Sequence, residues 1–148
     1  MSSPKGARLV PQPENTKPEE VMHISSFVLA TKGKQVLLIR RSRPEQTAGS
    51  WVLPSAVINW GEDPGSAALR IIQEQLGVMP TAMKLLDVQS FGDKHWDMCF
   101  LFQVEAPSPM NLGPDFDKSE YFDLSKLPPE LREGNKEVLE MARSRKAI

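Results

Sequence analysis

The chain has 148 residues, which suits one domain, because two separate cores in a chain of this length would each be marginal. Hydrophobic residues make up 40% of it and charged residues 25%, as in an average folded protein, and this excludes a chain that is disordered throughout. A formal net charge of −1 argues against a broad basic surface for duplex nucleic acid.

The first twenty residues differ in composition from the rest of the chain. They are rich in Pro, Ser, Lys and Gln and contain few large apolar groups. Such a segment cannot bury enough surface to offset the entropy of ordering it. We therefore predict a flexible arm over residues 1–20, through which a protein partner could dock, and one folded domain over residues 21–148.

The first half of the domain is predicted to be mostly extended. A run of β-branched and aromatic residues is followed by the turn signal Lys32-Gly33-Lys34 and by a second apolar run. A polar loop over residues 41–50 then separates these runs from two short apolar pieces. The predicted strands and short extended segments are residues 23–30, 35–40, 51–54 and 56–58.

The clearest helix signal begins at Asp63. Asp is a favourable N-cap, Pro64 occupies a first-turn position where its missing N–H costs nothing, and Gly77 is a typical helix terminator. These signals predict a helix over residues 64–76.

The second half of the domain is predicted to contain three strands and a final helix. Aliphatic and aromatic residues favour paired strands over residues 85–91 and 96–104, with a turn at 92–94. A Pro- and Gly-rich loop over 107–114 precedes a short strand at 121–123 and a helix over 135–145. Strands interrupted by one central helix and closed by another indicate a mixed sheet covered by helices, in the α/β class.

The segment from Trp51 to Val78 resembles the Nudix box. That pattern is Gly, five residues, Glu, seven residues, then Arg-Glu-apolar-x-Glu-Glu-x-Gly-apolar. The resemblance extends over roughly residues 21–145, because the two preceding strands and the later Tyr-Phe-Asp-Leu-Ser segment are also similar to family members. The positions that match the pattern in register are Glu62, Arg70, Ile72, Glu74, Gly77 and Val78.

The resemblance implies a Nudix-type α/β/α sandwich in which a loop-helix-loop segment holds Mg²⁺, or Mn²⁺, against a diphosphate. Water would then attack a nucleoside diphosphate that is linked to another group, so the implied ligand is a nucleotide-type small molecule. Glu62 and Arg70 would tie the loop to the helix, and Gly77 would complete the structural part of the box.

The helix face expected to hold the metal departs from the family pattern. Positions 71, 74 and 75 share one face of an ideal helix, and the family has Glu at all three. This chain has Ile71, Glu74 and Gln75, so Glu74 is the candidate catalytic carboxylate and Gln75 offers only a neutral oxygen to a metal. Ser55 and Ala56 also stand where the family usually has Gly. We interpret the box as structurally intact but lacking part of the carboxylate set that its chemistry needs.

Several other residues are candidates for the site. Arg40 and Arg41 end a strand that faces the site in the family and could meet a phosphate, although strand-end arginines are often solvated. Trp60 could stack on a base or cap the core. His95 and Trp96, at a strand start, could also contact a base by stacking, but a Trp in that place more often packs in the core. Acidic residues of a later loop could replace the missing metal ligands: Asp115, Asp117 and Glu120.

Three functions remain open from the sequence. The first is recognition of a nucleoside di- or polyphosphate derivative with hydrolysis weakened or lost, which leaves a binding, regulatory or structural role. The second is an active Mg²⁺-dependent hydrolase that recruits its carboxylates from residues 115–120. The third is an interaction subunit of a larger assembly, in which the fold is only a scaffold.

The sequence also predicts where the protein resides. Its single cysteine, Cys99, excludes an intramolecular disulfide and suits a reducing compartment. No apolar run approaches the roughly 20 residues of a membrane helix, and the N-terminus lacks the order of a signal peptide. We expect a soluble cytoplasmic protein.

Overall fold

The computed structural model describes residues 22–80, 82–92, 96–105 and 109–148. The predicted N-terminal arm, most of the predicted 92–94 turn, His95 and part of the 107–114 loop lie outside these residues. Among the described residues, no helix is long and apolar enough to cross a membrane. The strands and helices are β1 Met22–Lys32, β2 Gln35–Arg41, β3 Trp51–Val52, β4 Ser55–Val57, α1 Pro64–Ile71, β5 Met83–Gly92, β6 Trp96–Glu105, β7 Phe116–Phe122 and α2 Asn135–Ser144.

The strands form one mixed sheet. Its main path runs β3-β2-β1-β6-β5, while β4 pairs with β1 and β7 pairs with β2. The two longest strands, β1 and β6, run parallel, and the predicted pairing of β5 with β6 is confirmed as antiparallel. The β1–β6 pair therefore forms the centre of the molecule, with β4 on the opposite edge of β1.

Each face of the sheet is covered by one helix. Neighbouring residues of β1 point to opposite faces, as the pleat of a strand requires. Val28 joins the core cluster under α1, together with Ile71 and Phe102. Leu29 joins the cluster under α2, together with Leu139. The expected α/β/α sandwich is thus confirmed, with the box on one side and the terminal helix on the other.

The helix of the box begins and ends where its local signals predict. The Asp63 side chain accepts a hydrogen bond from the Ser66 backbone N–H at 2.8 Å, and Pro64 occupies the first turn. Gly77 ends the helix in the left-handed region, with φ of +69°. The interior differs from the prediction, because α-helix gives way after Ile71 to a π-helical turn over Ile72–Leu76.

That wide turn lies within the segment expected to hold the metal. A π-helical turn bonds i to i+5 and rotates the following side chains relative to an α-helix. Ile71 is fully buried, Gln75 is half-buried and Glu74 is exposed. The three positions expected to form the metal face therefore differ in exposure, and only Glu74 is open to solvent.

Two other elements differ from the prediction. Strand β7 begins at Phe116 rather than Tyr121, because its polar first half is held by backbone pairing with β2. A short 3₁₀ turn, Glu45–Thr47, lies within the predicted 41–50 loop. Both segments lie at the end of the sheet where the box enters, so they shape the surroundings of the site.

Candidate functional site

A cavity of about 990 Å³ opens between β4, the first half of β1 and the start of α2. Its wall contains the entry strand of the box and the end of the box helix, together with side chains from β6 and β7. A second depression, of about 560 Å³, lies between β5 and α2 and contains no residue of the box. We take the larger cavity as the candidate site. The lining residues used below are Phe27, Arg41, Ser55, Val57, Gln75 and Phe116.

The loop after β4 is tied to α1 by an ion pair. Arg70 donates from Nε to Glu62 Oε2 at 2.9 Å and from Nη2 to Glu62 Oε1 at 3.0 Å. Arg70 also donates to the carbonyl oxygen of Val57 at 3.1 Å, and Glu62 accepts from the Asn59 backbone N–H at 2.9 Å. The Arg70 hydrogen bonds and the Asn59 N–H lower the pKa of Glu62 to about 2. The structure thus places these two box residues where they hold the loop on the helix.

The helix face where the family clusters glutamates is closed. Ile71 has no exposed surface and packs in the core under α1. Glu74 is 66% exposed at its side chain, and its Oε1 lies 3.8 Å from Arg70 Nη1. Only one carboxylate therefore remains on this face, and it already has a cationic neighbour.

Gln75 makes a direct bond across the site. Its Nε2 donates to the carbonyl oxygen of Ser55 at 2.9 Å, while its Oε1 is buried and accepts no hydrogen bond from the described residues. Only the amide N–H₂ can bond a carbonyl oxygen, so this contact fixes the orientation of the side chain. The Ser55 carbonyl therefore already has a donor.

The residues present do not fit a resident divalent cation. Mg²⁺ needs several oxygen ligands, with carboxylates to balance its charge. Within the part of the chain that the structure describes, no three His, Cys, Asp or Glu side chains are grouped to hold a metal. The nearest candidates, Glu74 and Gln75, offer one exposed carboxylate and one neutral oxygen.

The acidic residues after the box lie beside arginines. Asp117 accepts two hydrogen bonds from Arg40, at 2.9 and 3.1 Å, which lower the pKa of Asp117 and raise that of Arg40. Asp115 lies 3.7 Å from Arg43. Two of the acids that could replace missing metal ligands are therefore engaged with cations, and Glu120 lies on β7 opposite Leu38.

The two strand-end arginines of β2 have separate surroundings. Arg40 is held by Asp117, whereas Arg41 lines the cavity. The Arg41 guanidinium lies 5.4 Å from the centre of the Phe116 ring and donates to the carbonyl oxygen of Arg43 at 3.0 Å. Arg41 is thus one of two arginines, with Arg132, that line the cavity.

Two tryptophans lie on the surface. Trp60 is fully exposed, which removes the alternative that it caps the core and leaves its stacking role as a prediction. Trp96 is 54% exposed, so its expected place in the core is wrong. It pairs with Met22 at the first residues of β6 and β1, and Met22 is itself exposed.

Some residues of the site could not be found from the sequence. Asn111 and Gly113 donate backbone hydrogen bonds to the carbonyl oxygens of Leu76 and Gln75, at 2.9 and 3.0 Å, and so seat the following loop on the box helix. A Cβ at Gly113 would collide with the backbone of the helix, so only glycine permits this approach. The Pro- and Gly-rich composition of residues 107–114 predicts a loop but contains no signal for its contact with the helix.

The start of α2 contributes to the cavity as well. Asn135 is buried, and its Oδ1 accepts the Leu53 backbone N–H at 2.8 Å. Cys99 lies in the cavity wall, where burial raises the pKa of its thiol to about 11. That thiol is therefore protonated and unreactive at neutral pH.

Known proteins share this sequence pattern and fold. A family model described as NUDIX domain matches residues 21–142. An 8-oxo-dGTP diphosphatase of Proteus vulgaris is 30% identical over 86 residues, which are 57% of this chain and 77% of that protein. An ADP-ribose pyrophosphatase of Methanocaldococcus jannaschii is 30% identical over 102 residues, which are 66% of this chain and 59% of that longer protein.

A solved structure agrees with these sequence matches. The crystal structure of a MutT NUDIX hydrolase from Burkholderia pseudomallei superposes with a TM-score of 0.68 at 25% identity. The superposition covers 81% of this chain and 97% of that one.

Proposed function

The chain belongs to the Nudix family, and from that premise we propose that it binds a nucleoside di- or polyphosphate derivative, with hydrolysis weakened or lost. One observation carries the proposal. The Gln75 amide bonds the Ser55 carbonyl, and Ile71 is buried, on the helix face that would have to hold a metal. A binding, regulatory or structural role follows.

The cavity supports the binding half of the proposal. It has room for a nucleotide-sized molecule, and Arg41 supplies a cation at its wall. Phe27 and Phe116 supply apolar ring surface beside it. The two relatives of known activity act on compounds that contain a diphosphate, 8-oxo-dGTP and ADP-ribose. A diphosphate flanked by a nucleoside is therefore the ligand class we propose.

The depleted carboxylate face supports the catalytic half. Hydrolysis of a phosphoanhydride needs neutralisation of the charge that develops on phosphoryl oxygens and an activated water. When bound, Mg²⁺ or Mn²⁺ would supply both. Here Glu74 is the single remaining carboxylate, and its nearest cation is Arg70. The chain's own residues are thus suited to holding a ligand rather than to activating water.

Two further proposals concern the location of the protein and its partners. We propose a cytoplasmic location, since the single Cys99 suits a reducing compartment. A protein partner that binds the arm over residues 1–20 is compatible with a regulatory role.

Binding and turnover should be measured on the same samples. Calorimetric titration with ADP-ribose should show binding, and Arg41→Ala should weaken it by roughly 10- to 100-fold, the cost of one charge-assisted contact to phosphate. Arg143→Ala, on the exposed face of α2, removes the same charge away from the cavity and should leave affinity unchanged.

A turnover screen separates the alternatives. Nucleoside triphosphates, ADP-ribose, dinucleoside polyphosphates and nucleotide sugars would be incubated with Mg²⁺ or Mn²⁺. Turnover that Glu74→Gln abolishes would establish the active hydrolase and refute our proposal. An absence of both binding and turnover across this set would favour the scaffold role.

A further inference from the structure

The contact between Gln75 and Ser55 joins the two halves of the box. It connects the end of the box helix to the first residue of β4, twenty positions earlier in the chain. Strand β4 in turn pairs with β1 over Ser25–Phe27 and contributes Ser55, Ala56 and Val57 to the cavity wall. A contact at this point sets where that wall lies relative to the helix.

The chemistry of this contact depends on the amide. A carboxylate at position 75, as the family has, presents only acceptors, and the Ser55 carbonyl is also an acceptor. Two acceptor oxygens at this separation repel each other unless a cation or a proton lies between them. The amide removes that requirement, because its N–H donates directly to the carbonyl at 2.9 Å.

We infer that Gln75 is a positioning residue whose amide takes the place of a divalent cation, so that the box adopts its folded form without any metal. The helix-to-loop tie is made by Nε2 of Gln75 to Ser55 at one end and by Arg70 to Glu62 at the other. Neither tie needs a metal ion. The inference stands whether or not the cavity binds a nucleotide.

Two further observations agree with it. Ile71 fills with hydrocarbon the core position where the family has a third glutamate, so the helix has no carboxylate there that a cation would have to neutralise. The Gln75 backbone carbonyl is also satisfied, by the Gly113 N–H at 3.0 Å, which holds this residue from both its main chain and its side chain. The position is fixed by protein contacts alone.

The test compares two Gln→Glu substitutions on one helix. In the wild type, the melting temperature should be the same in chelator and in millimolar Mg²⁺. Gln75→Glu should melt roughly 5–10 °C lower in chelator, as expected for a lost hydrogen bond and two facing acceptors, and Mg²⁺ should restore most of the loss. Gln73→Glu adds the same negative charge at an exposed position two residues away. Its melting temperature should change in neither chelator nor Mg²⁺.

Two outcomes would overturn the inference. One is a wild-type protein that Mg²⁺ stabilises as strongly as it stabilises Gln75→Glu. The other is a Gln75→Glu protein that is no less stable in chelator than Gln73→Glu.

A second measurement covers the case in which Gln75→Glu does not fold. Hydrogen exchange of the backbone amides of residues 55–57 in the wild type should be equally slow with chelator and with Mg²⁺. Gln75→Met keeps the side-chain length but lacks the donor, and it should exchange faster at these amides in both conditions. Protection of residues 55–57 that appears only with Mg²⁺ would refute the inference.

Discussion

Ile71→Glu would return to this chain the residue that the family has at that position, and we expect it to destabilise the fold rather than to restore a metal site. Ile71 has no exposed surface and packs between α1 and the sheet. Removing its side chain from the core costs about 1.5–3 kcal/mol of apolar burial. A carboxyl group placed there without a partner adds a cost of similar or larger size.

The expected total loss of stability in Ile71→Glu is about 4–6 kcal/mol, which is a large part of the roughly 5–15 kcal/mol that stabilises a domain. Ile71→Met is the matched control, since it keeps the volume and the hydrocarbon character and should cost less than about 1.5 kcal/mol. Urea unfolding of both variants at neutral pH measures the difference.

The pH dependence of the stability of Ile71→Glu provides a second test of this prediction. Burial raises the folded-state pKa of the introduced carboxyl group above its unfolded value. The destabilisation is therefore complete above the folded-state pKa and diminishes as the pH falls below it. If Ile71→Glu instead unfolds at the same urea concentration as Ile71→Met, or if Mg²⁺ both stabilises it and makes it hydrolytic, then the helix face is open and the reasoning fails.

Three further predictions concern the scaffold of the site. The folded-state pKa of Glu62 lies at about 2, below its ordinary 4.5, so the contribution of its carboxylate to stability is present above pH 4.5 and is lost as the pH falls toward 2. In Glu62→Gln, the melting temperature should lose this part of its dependence on acid pH. Asn135→Ala leaves the buried Leu53 N–H without its acceptor and should lower the free energy of unfolding by about 1–3 kcal/mol in urea titrations. Gly77→Ala should lower the melting temperature more than Gly33→Ala, because both glycines have positive φ but only Gly77 has backbone in the way of a Cβ; equal losses would attribute the effect to φ alone.

Local chemistry made much of the fold predictable. Asp63, Pro64 and Gly77 fix the ends of the box helix through contacts within a few residues, so their signals could be read from the sequence and are confirmed. The long strands β1 and β6 were likewise evident from their apolar composition. Their parallel pairing was not, because register between distant segments has no local signal.

The details that decide the chemistry arise from tertiary contacts. The segment Ile72–Leu76 forms a π-helical turn, and spacing counted on an ideal α-helix cannot anticipate it. The Arg40–Asp117 pair joins residues 77 positions apart. Each residue was a candidate for a separate role, and only their proximity showed that they pair with each other.

The buried tryptophan and the two exposed tryptophans occupy environments that differ enough to serve as separate optical reporters. Trp51 is 7% exposed and packs edge-on against Phe122, with ring centres 5.1 Å apart, so its emission is that of a buried indole and shifts to the red only when the core opens. Trp60 is fully solvated and is the most accessible to a collisional quencher such as iodide. Iodide quenching of the red edge therefore follows the two surface tryptophans, Trp60 and Trp96, while the blue edge follows unfolding. A ligand that stacks on Trp60 would reduce the quenching of the red edge without altering the blue edge.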